Sequence, residues 1–366
     1  MTNAPGMTQK SEERTLFELR SLYQRYGYTR YKMRKFEKYD LYLSNKDFLA
    51  SDQVIAFADT DGTLLALKPD VTLSIVRGGN KGERTVRKVY YQESVYRPAG
   101  YTRSFREITQ AGVECIGDLS DYDLAEVLLL AVSSLRTISE NCVLTLSHMG
   151  LVKRILALCG LKDKSLEKAL GFVSGKNIHE LSALFGADLT AETLDKLNCL
   201  VRLPAYPEEA LAVLEKAGCG EEVRGLRRVL DALRDTEARP LIQLDLSTVN
   251  DLGYYNGIVF KGYIDGIPDK VISGGQYDPL IRKMGFSGSA IGFAVYLDAL
   301  ERMGPSVQTI DALLLYDDQA QPERVMSAVR DLSRDGLSVM AQRTKPEGIR
   351  FNRVLRLTES GVKEDG

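Results

Sequence analysis

The chain has 366 residues, of which 44% are hydrophobic and 27% are charged, and its formal net charge is −2. This composition is typical of a folded globular protein and excludes an intrinsically disordered chain. The near-neutral charge shows no basic excess of the kind that binding to phosphates requires, so we expect no nucleic-acid partner.

The distribution of apolar residues, cysteines and histidines excludes several further classes. Residues 1–14 contain no apolar run typical of a secretory signal, and the longest apolar runs elsewhere are too short to span a bilayer. The five cysteines form no C-x-x-C pair, which is typical of reduced thiols, and His148 and His179 lie far from any cysteine pair. We therefore expect a cytoplasmic protein with no membrane partner, no metal and no cofactor.

The first part of the chain is rich in predicted strands. Three local patterns support this prediction: helical spacing of apolar residues, alternation around an Asp-Gly turn, and a Ser-Asp pair that begins a helix. In chain order they predict a helix over 13–26, a short strand after it, a hairpin over 54–59 and 64–68, strands over 88–97 and 108–116, and a helix over 121–139.

The pattern then changes to almost continuous helix between residues 150 and 236. Predicted helices separated by Gly or Pro cover 151–158, 164–170, 178–185, 191–200, 207–217 and 221–233. We interpret this stretch as a helical insertion in a strand-rich domain. Strands are predicted again over 241–246, 254–263 and 270–273, and a strand leads into a helix over 292–302. A short β-α-β pattern follows Pro305.

One candidate ligand-binding motif is L-K-P-D-V-T-L-S-I-V-R, residues 67–77. Asp70 and Thr72 lie two positions apart, so on an extended segment they would share a face and could receive an ammonium group. Pro-Asp-x-Thr before an apolar run is also good helix-capping chemistry. Taken alone, the motif favours capping.

A second motif, residues 94–117, contains two strands joined by the loop P-A-G-Y-T-R-S-F-R. Gln110, Gly112 and Glu114 are spaced by two and therefore point to one face of a strand. That face could line a pocket or be solvated, since a period of two does not distinguish the two cases. The segment resembles class II aminoacyl-tRNA synthetase motif 2 of the histidyl family, in which Arg97 matches an arginine and Ala99 replaces a glutamate.

The third motif is D-L-G-Y-Y-N-G-I-V-F followed by S-G-G-Q-Y-D. It resembles the strands that line the imidazole pocket of histidyl-tRNA synthetases. The resemblance implies ligand contacts from Tyr254, Tyr255 and Tyr277, and close approach of the backbone to the ligand at Gly274 and Gly275. Without that context, core packing is the simpler interpretation of a tyrosine pair.

The same comparison shows where this chain departs from the synthetase pattern. Asn250 stands at an arginine position, Asp251, Gly253 and Gln276 replace other typical residues, and Ala299 occupies the arginine position of a segment similar to motif 3. Arg302, one helical turn beyond Ala299, starts about 5 Å further along the axis and is a poor substitute. The amino-acid pocket is therefore expected to persist without the cations that nucleotide chemistry requires.

These features together resemble the synthetase-like regulatory subunits of ATP phosphoribosyltransferase. The resemblance implies a non-catalytic regulatory subunit that binds histidine and pairs with a short catalytic subunit in the first step of histidine biosynthesis. The implied histidine-binding residues are Asp70, Thr72, Arg97, Gln110, Glu114, Tyr254, Tyr255 and Tyr277. An active divergent synthetase or adenylating paralogue and a tRNA-binding module are the alternatives, and the regulatory histidine could instead occupy a subunit interface.

The expected fold is α+β, an antiparallel class II synthetase-like sheet flanked by helices. Its predicted parts are a catalytic-type domain over 1–149 and 237–304, a helical insertion over 150–236, and a reduced α/β segment over 305–366. A homodimer is expected through residues 13–43, which resemble motif 1. The apolar side chains cited for that interface are Leu19, Leu22, Tyr23, Tyr28 and Tyr31.

Overall fold

The computed structural model describes residues 12–49, 53–79, 85–98, 104–161, 163–249, 254–301, 309–334 and 336–365. The chain divides into two compact units, one comprising Glu12–Met303 and the other including Gly304–Gly366. No helix within the described residues is long and apolar enough to cross a membrane.

The first half of the larger unit contains both strands and helices. In chain order these are α1 (Glu12–Arg25), β1 (Thr29–Arg30), β2 (Phe36–Lys38), α2 (Tyr39–Leu43), β3 (Ala56–Ala58), β4 (Leu64–Leu67), α3 (Thr72–Arg77), β5 (Arg87–Pro98), β6 (Phe105–Gly117), α4 (Asp121–Ile138) and β7 (Cys142–His148).

A run of helices then separates β7 from the next strand of the chain. These helices are α5 (Met149–Leu158), α6 (Asp163–Ser174), α7 (Ile178–Ala183), α8 (Ala191–Val201), α9 (Pro207–Lys216) and α10 (Gly220–Asp231). The run returns to β8 (Ile242–Leu244), which pairs directly with β7 in parallel. The domain limits that we assign to this stretch stay a prediction.

The remaining elements of the larger unit complete the sheet. They are β9 (Ile258–Ile264), β10 (Ile272–Gln276), α11 (Asp278–Lys283), β11 (Ser289–Tyr296) and α12 (Asp298–Glu301). Within the described residues the large sheet has eight strands in the order β1-β5-β6-β11-β10-β9-β7-β8. The expected sheet flanked by helices is confirmed, although the two outermost pairs, β1 with β5 and β7 with β8, are parallel.

The main hydrophobic core lies on one face of this sheet. Helix α4 packs there and begins with a capping box between Ser120 and Asp123, as the sequence predicts. Val113 and Cys115 of β6 point into this core, so the intervening Gln110, Gly112 and Glu114 point to the opposite face. The candidate ligand-binding side chains of β6 therefore lie on the face of the sheet opposite the main core.

Several boundaries differ from the sequence prediction. Strand β7 is not predicted, because its short alternation lies between two helical segments. The predicted strand over 254–263 begins only at Ile258, so the tyrosine pair precedes the strand. The predicted strand over 270–273 runs instead over Ile272–Gln276, so the glycine pair lies inside it.

The apolar residues that suggest a homodimer are mostly inside the chain. Leu19, Leu22, Tyr23 and Tyr28 are buried, with exposed fractions between 0% and 7%. The argument from their exposure is wrong, because α1 packs against α4 within the same chain. Other apolar side chains of that segment, Phe17, Phe36 and Leu43, are exposed, and the homodimer stays a prediction.

The smaller unit is an α/β structure of its own. Its elements are β12 (Thr309–Leu315), α13 (Pro322–Arg334), β13 (Val339–Gln342), β14 (Arg350–Thr358) and β15 (Gly361–Glu364). Within the described residues its sheet has four strands in the order β13-β12-β14-β15, with β15 antiparallel to β14. The sequence predicts the β-α-β part and misses β15, which is short and mostly polar.

Candidate amino-acid pocket

A cavity of about 360 Å³ opens on the face of the large sheet opposite α4. Its lining includes every residue that the sequence analysis proposes for ligand binding: Asp70, Thr72, Arg97, Gln110, Glu114, Tyr254, Tyr255 and Tyr277. Strand β6, helix α3 and the segment before β9 therefore bring together residues up to about two hundred positions apart in the chain.

Glu114 is a deeply buried carboxylate of this cavity, with an exposed fraction of 2%. The Thr72 hydroxyl donates to its Oε1 at 2.8 Å, and the Tyr277 hydroxyl donates to its Oε2 at 2.5 Å. Burial raises the pKa of Glu114 to about 8, and the two hydroxyl donors oppose that rise. A ligand that carries positive charge or an N–H donor would favour the ionised carboxylate.

Glycines in neighbouring strands make room for these side chains. In the sheet register, Glu114 lies opposite Gly292 of β11, which lies opposite Gly275 of β10. A Cβ atom at Gly292 would lie 1.8 Å from Glu114 Oε2, and one at Gly275 would lie 2.7 Å from the Tyr255 ring. Gly292 is not among the residues that the sequence analysis selects for ligand binding, because its role depends on strand pairing.

The approach of a ligand to Gly274 and Gly275 stays a prediction, and both glycines also have a packing role in the structure. A Cβ atom at Gly274 would lie 2.4 Å from the carbonyl oxygen of Gly292 and 2.5 Å from Phe293 Cβ. The atoms nearest to both glycines belong to the protein. The pair is required for close packing between strands and for the placement of the Tyr255 ring.

Asp70 combines the two roles that the sequence leaves open. Its Oδ1 accepts a hydrogen bond from the backbone N–H of Leu73 at 2.9 Å, which caps α3, while the side chain lines the cavity. The extended segment considered for Asp70 and Thr72 is wrong, because Thr72 is the first residue of α3. Burial raises the pKa of Asp70, and the charge of Arg97 opposes this rise.

Arg97 is held by acceptors of the protein itself. Its Nε donates to the carbonyl oxygen of Pro69 at 2.7 Å, and its Nη2 lies 3.6 Å from Asp70 Oδ2. These contacts fix the guanidinium beside Asp70 and satisfy part of its donor capacity.

Aromatic rings form one wall of the cavity. The Tyr254 ring centroid lies 4.5 Å from that of Tyr255, 6.0 Å from that of Tyr277 and 5.9 Å from that of Phe48. Such contacts hold the rings in place and leave their hydroxyls as the polar groups of the wall.

Three further residues, Tyr91, Lys270 and Tyr296, line the cavity and are not predicted from sequence. Tyr296 is paired with Gln110 across β11 and β6, and the Lys270 ammonium lies 5.8 Å from the Tyr296 ring centroid. Desolvation, together with the charge of Arg97, lowers the pKa of Lys270. The alternation along β11 could have predicted that Tyr296 faces the cavity. Lys270 precedes strand β10, so no strand alternation predicts where its side chain lies.

The closing helix α12 has alanine, Ala299, at the arginine position of motif 3. Ala299 has an exposed fraction of 5% and belongs to the main hydrophobic core. The other departures from the synthetase pattern, at Ala99, Asn250, Asp251, Gly253 and Arg302, lie outside the described residues. Gln276, which is described, accepts a hydrogen bond from the backbone N–H of Ile258 through its Oε1 at 2.7 Å.

Metal chemistry has no visible site in this part of the chain. Within the described ranges, no group of three or more His, Cys, Asp or Glu side chains could hold a metal ion. His148 caps α5 by accepting a hydrogen bond from the Leu151 N–H at 3.3 Å, and burial lowers its pKa to about 4. That histidine is a structural residue.

Several curated proteins similar to this chain are named ATP phosphoribosyltransferase regulatory subunit. A protein from Oceanobacillus iheyensis named ATP phosphoribosyltransferase regulatory subunit is 26% identical over 341 residues, which cover 90% of this chain and 84% of that protein. A protein of the same name from Clostridium acetobutylicum is 28% identical over 336 residues, covering 87% and 82% respectively.

Solved structures share the fold. A structure from Bacillus halodurans, described as an ATP phosphoribosyltransferase regulatory subunit/histidyl-tRNA synthetase, has a TM-score of 0.74 at 24% identity and covers 93% of this chain and 91% of that one. A chain of an ATP phosphoribosyl transferase complex from Thermotoga maritima has a TM-score of 0.63 at 19% identity, covering 78% and 97%.

The model of the family described as histidyl-tRNA synthetase matches residues 5–300. This range includes every residue of the cavity, the helical stretch and all of the closing helix except Glu301. The chain belongs to the histidyl-tRNA synthetase family.

Proposed function

We propose that this chain is a non-catalytic regulatory subunit of ATP phosphoribosyltransferase and that it binds histidine in the cavity. One observation carries the proposal. The cavity is lined by all eight candidate histidine contacts, whereas the closing helix has a buried alanine, Ala299, where the synthetase pattern has an arginine. Such a site can bind an amino acid but lacks a cation for nucleotide chemistry.

The cavity offers complementary groups for two parts of histidine. Asp70, beside Thr72, is an acceptor for the α-ammonium group. Glu114 is an acceptor for an imidazole N–H, and the hydroxyls of Tyr255 and Tyr277 lie on the same wall. A buried acceptor of this kind discriminates strongly against ligands that lack the matching donor.

Loss of the cations favours binding over turnover. Formation of an aminoacyl-adenylate develops negative charge on a phosphate, which fixed cations must stabilise. Asn250 and Ala299 remove two such cations by sequence, and Arg97 is occupied by Asp70 and Pro69. The alternative of a divergent synthetase is therefore disfavoured.

The effect of histidine must then reach a separate catalytic chain. The named relatives support a short ATP phosphoribosyltransferase subunit as that partner, which joins ATP to phosphoribosyl pyrophosphate in the cytoplasm. If histidine binds one conformation of the assembly more tightly, it shifts the population toward that conformation. A coupling free energy of about 1–3 kcal/mol is sufficient for regulation.

Mixing this chain with a short catalytic subunit is expected to raise the rate of product formation, and added histidine is expected to lower it again. The measurement compares the catalytic subunit alone, with this chain, and with this chain plus histidine. Identical rates in all three reactions would remove the regulatory role. Reciprocity requires that substrates which favour the active conformation also weaken histidine binding.

Two control assays separate the alternatives. Histidine-dependent exchange of pyrophosphate into ATP should stay at background for this chain, and exchange at a rate typical of a synthetase would establish an enzyme instead. A gel-shift series with tRNA at increasing salt tests the nucleic-acid alternative, for which we expect no shift at physiological ionic strength.

The affinity for histidine is expected to fall about fivefold when the pH is lowered from 8 to 7. The ionised fraction of Glu114, whose pKa is about 8, falls over this interval from about one half to about one tenth, and the ionised form is the acceptor. Calorimetry between pH 7 and 8.5 avoids the titration of the free imidazole. The variant Glu114→Gln should lose this dependence, and the same slope in both proteins would assign it to another group.

A further inference from the structure

Hydrogen-bond acceptors and donors lie at different ends of the cavity. The acceptor Glu114 and Gln110 lie four residues apart along strand β6, a distance of about 13 Å. Opposite Gln110 is Tyr296, whose ring lies near the Lys270 ammonium. One end of the cavity therefore presents a carboxylate, and the other presents N–H donors.

Gln110 has a donor without an acceptor. Its exposed fraction is 2%, and among the described residues no acceptor lies within hydrogen-bonding distance of Nε2. A buried amide N–H without a partner is destabilising, because it has lost its hydrogen bonds to water. Because this group lines the cavity, an acceptor on a bound ligand would satisfy it.

Lys270 is the cation of the cavity that is not held by a carboxylate. Arg97 is committed to Asp70 and to the Pro69 carbonyl oxygen. The Lys270 ammonium contacts the face of the Tyr296 ring and forms no ion pair with any described residue. It is exposed at the cavity rim, so it can turn toward a ligand anion without disturbing the core.

We propose that Lys270 and the Gln110 amide bind the α-carboxylate of the histidine ligand. The assignment rests on the proposed function, because it concerns the same ligand in the same cavity. It places the imidazole at Glu114, the ammonium at Asp70 and the carboxylate at the donor end.

The test compares two ligands and two lysine variants by calorimetry. Histidinol keeps the ammonium and imidazole of histidine and replaces the carboxylate by a hydroxymethyl group. We expect the parent to prefer histidine, and Lys270→Met to lower the affinity for histidine about tenfold while changing that for histidinol less than twofold. The matched control is Lys261→Met, a half-buried lysine of β9 outside the cavity lining, which should bind histidine like the parent.

The outcomes distinguish the two proposals. If Lys270→Met binds histidine like the parent, or loses histidine and histidinol equally, the carboxylate assignment is wrong and the proposed function stands. If the parent binds neither ligand, the histidine site itself is absent and both proposals fail. The variant Gln110→Met should repeat the selective loss of histidine, because it removes the donor while keeping the side-chain length.

Discussion

Replacing Glu114 with alanine is expected to weaken histidine binding about 30- to 150-fold, which corresponds to about 2–3 kcal/mol. The carboxylate is buried and accepts hydrogen bonds from Thr72 and Tyr277. Its removal leaves these hydroxyls and the imidazole N–H of the ligand without an acceptor inside a shielded cavity. Calorimetry at pH 8 measures the effect, and thermal unfolding of the same samples checks that the fold persists.

The design includes a control on the same strand. Glu107 of β6 is exposed and lies outside the cavity, so Glu107→Ala should bind histidine like the parent. Unchanged affinity in Glu114→Ala would show that histidine does not bind in this cavity. A subunit interface would then be the better candidate for the regulatory site.

The substitution Gly292→Ala is expected to abolish measurable histidine binding and to lower the free energy of unfolding by about 1–3 kcal/mol. The new methyl group would lie 1.8 Å from Glu114 Oε2 and 2.6 Å from the carbonyl oxygen of Val113. The Glu114 side chain can rotate away from this methyl group only by giving up its hydrogen bonds with Thr72 and Tyr277. The Val113 carbonyl oxygen cannot move, because strand pairing holds the backbone of β6 in place. Calorimetry and chemical denaturation measure the two effects.

Gly225→Ala is the matched control for this substitution. Gly225 lies in helix α10, and a Cβ atom there would meet no atom within 4 Å. Alanine is favoured over glycine in a helix, so this variant should be as stable as the parent or more stable, with unchanged histidine affinity. Normal binding by Gly292→Ala would contradict the packing of Glu114 against this strand.

Much of the fold is predictable because its signals are local. The helix over α4 follows from apolar spacing and the Ser120 cap, and the strands β5 and β6 follow from their length and alternation. The helices between β7 and β8 are separated by Gly and Pro, which mark their ends. Strand β7 is missed, since a seven-residue strand between helices carries little periodic signal.

The residues of the candidate site also divide into those that the sequence predicts and those that it misses. All eight residues chosen from sequence line the cavity, and six of them belong to long motifs that resemble the synthetase pattern. Lys270, Tyr296 and Gly292 are missed as parts of the site. Their place in the site depends on the pairing of β11 with β6 and with β10, and β6 ends more than 150 residues before β10 begins.

The sequence by itself determined which side chains share a face of β6, because a strand alternates with a period of two whatever surrounds it. It also determined that Asn250 and Ala299 stand where the synthetase pattern has arginines. Only the tertiary structure decided that the face bearing Gln110 and Glu114 is an enclosed cavity and not a solvated surface. The physical reason is that desolvation, strand order and the fit of Gly292 against Glu114 arise from contacts between distant segments, which local periodicity does not encode.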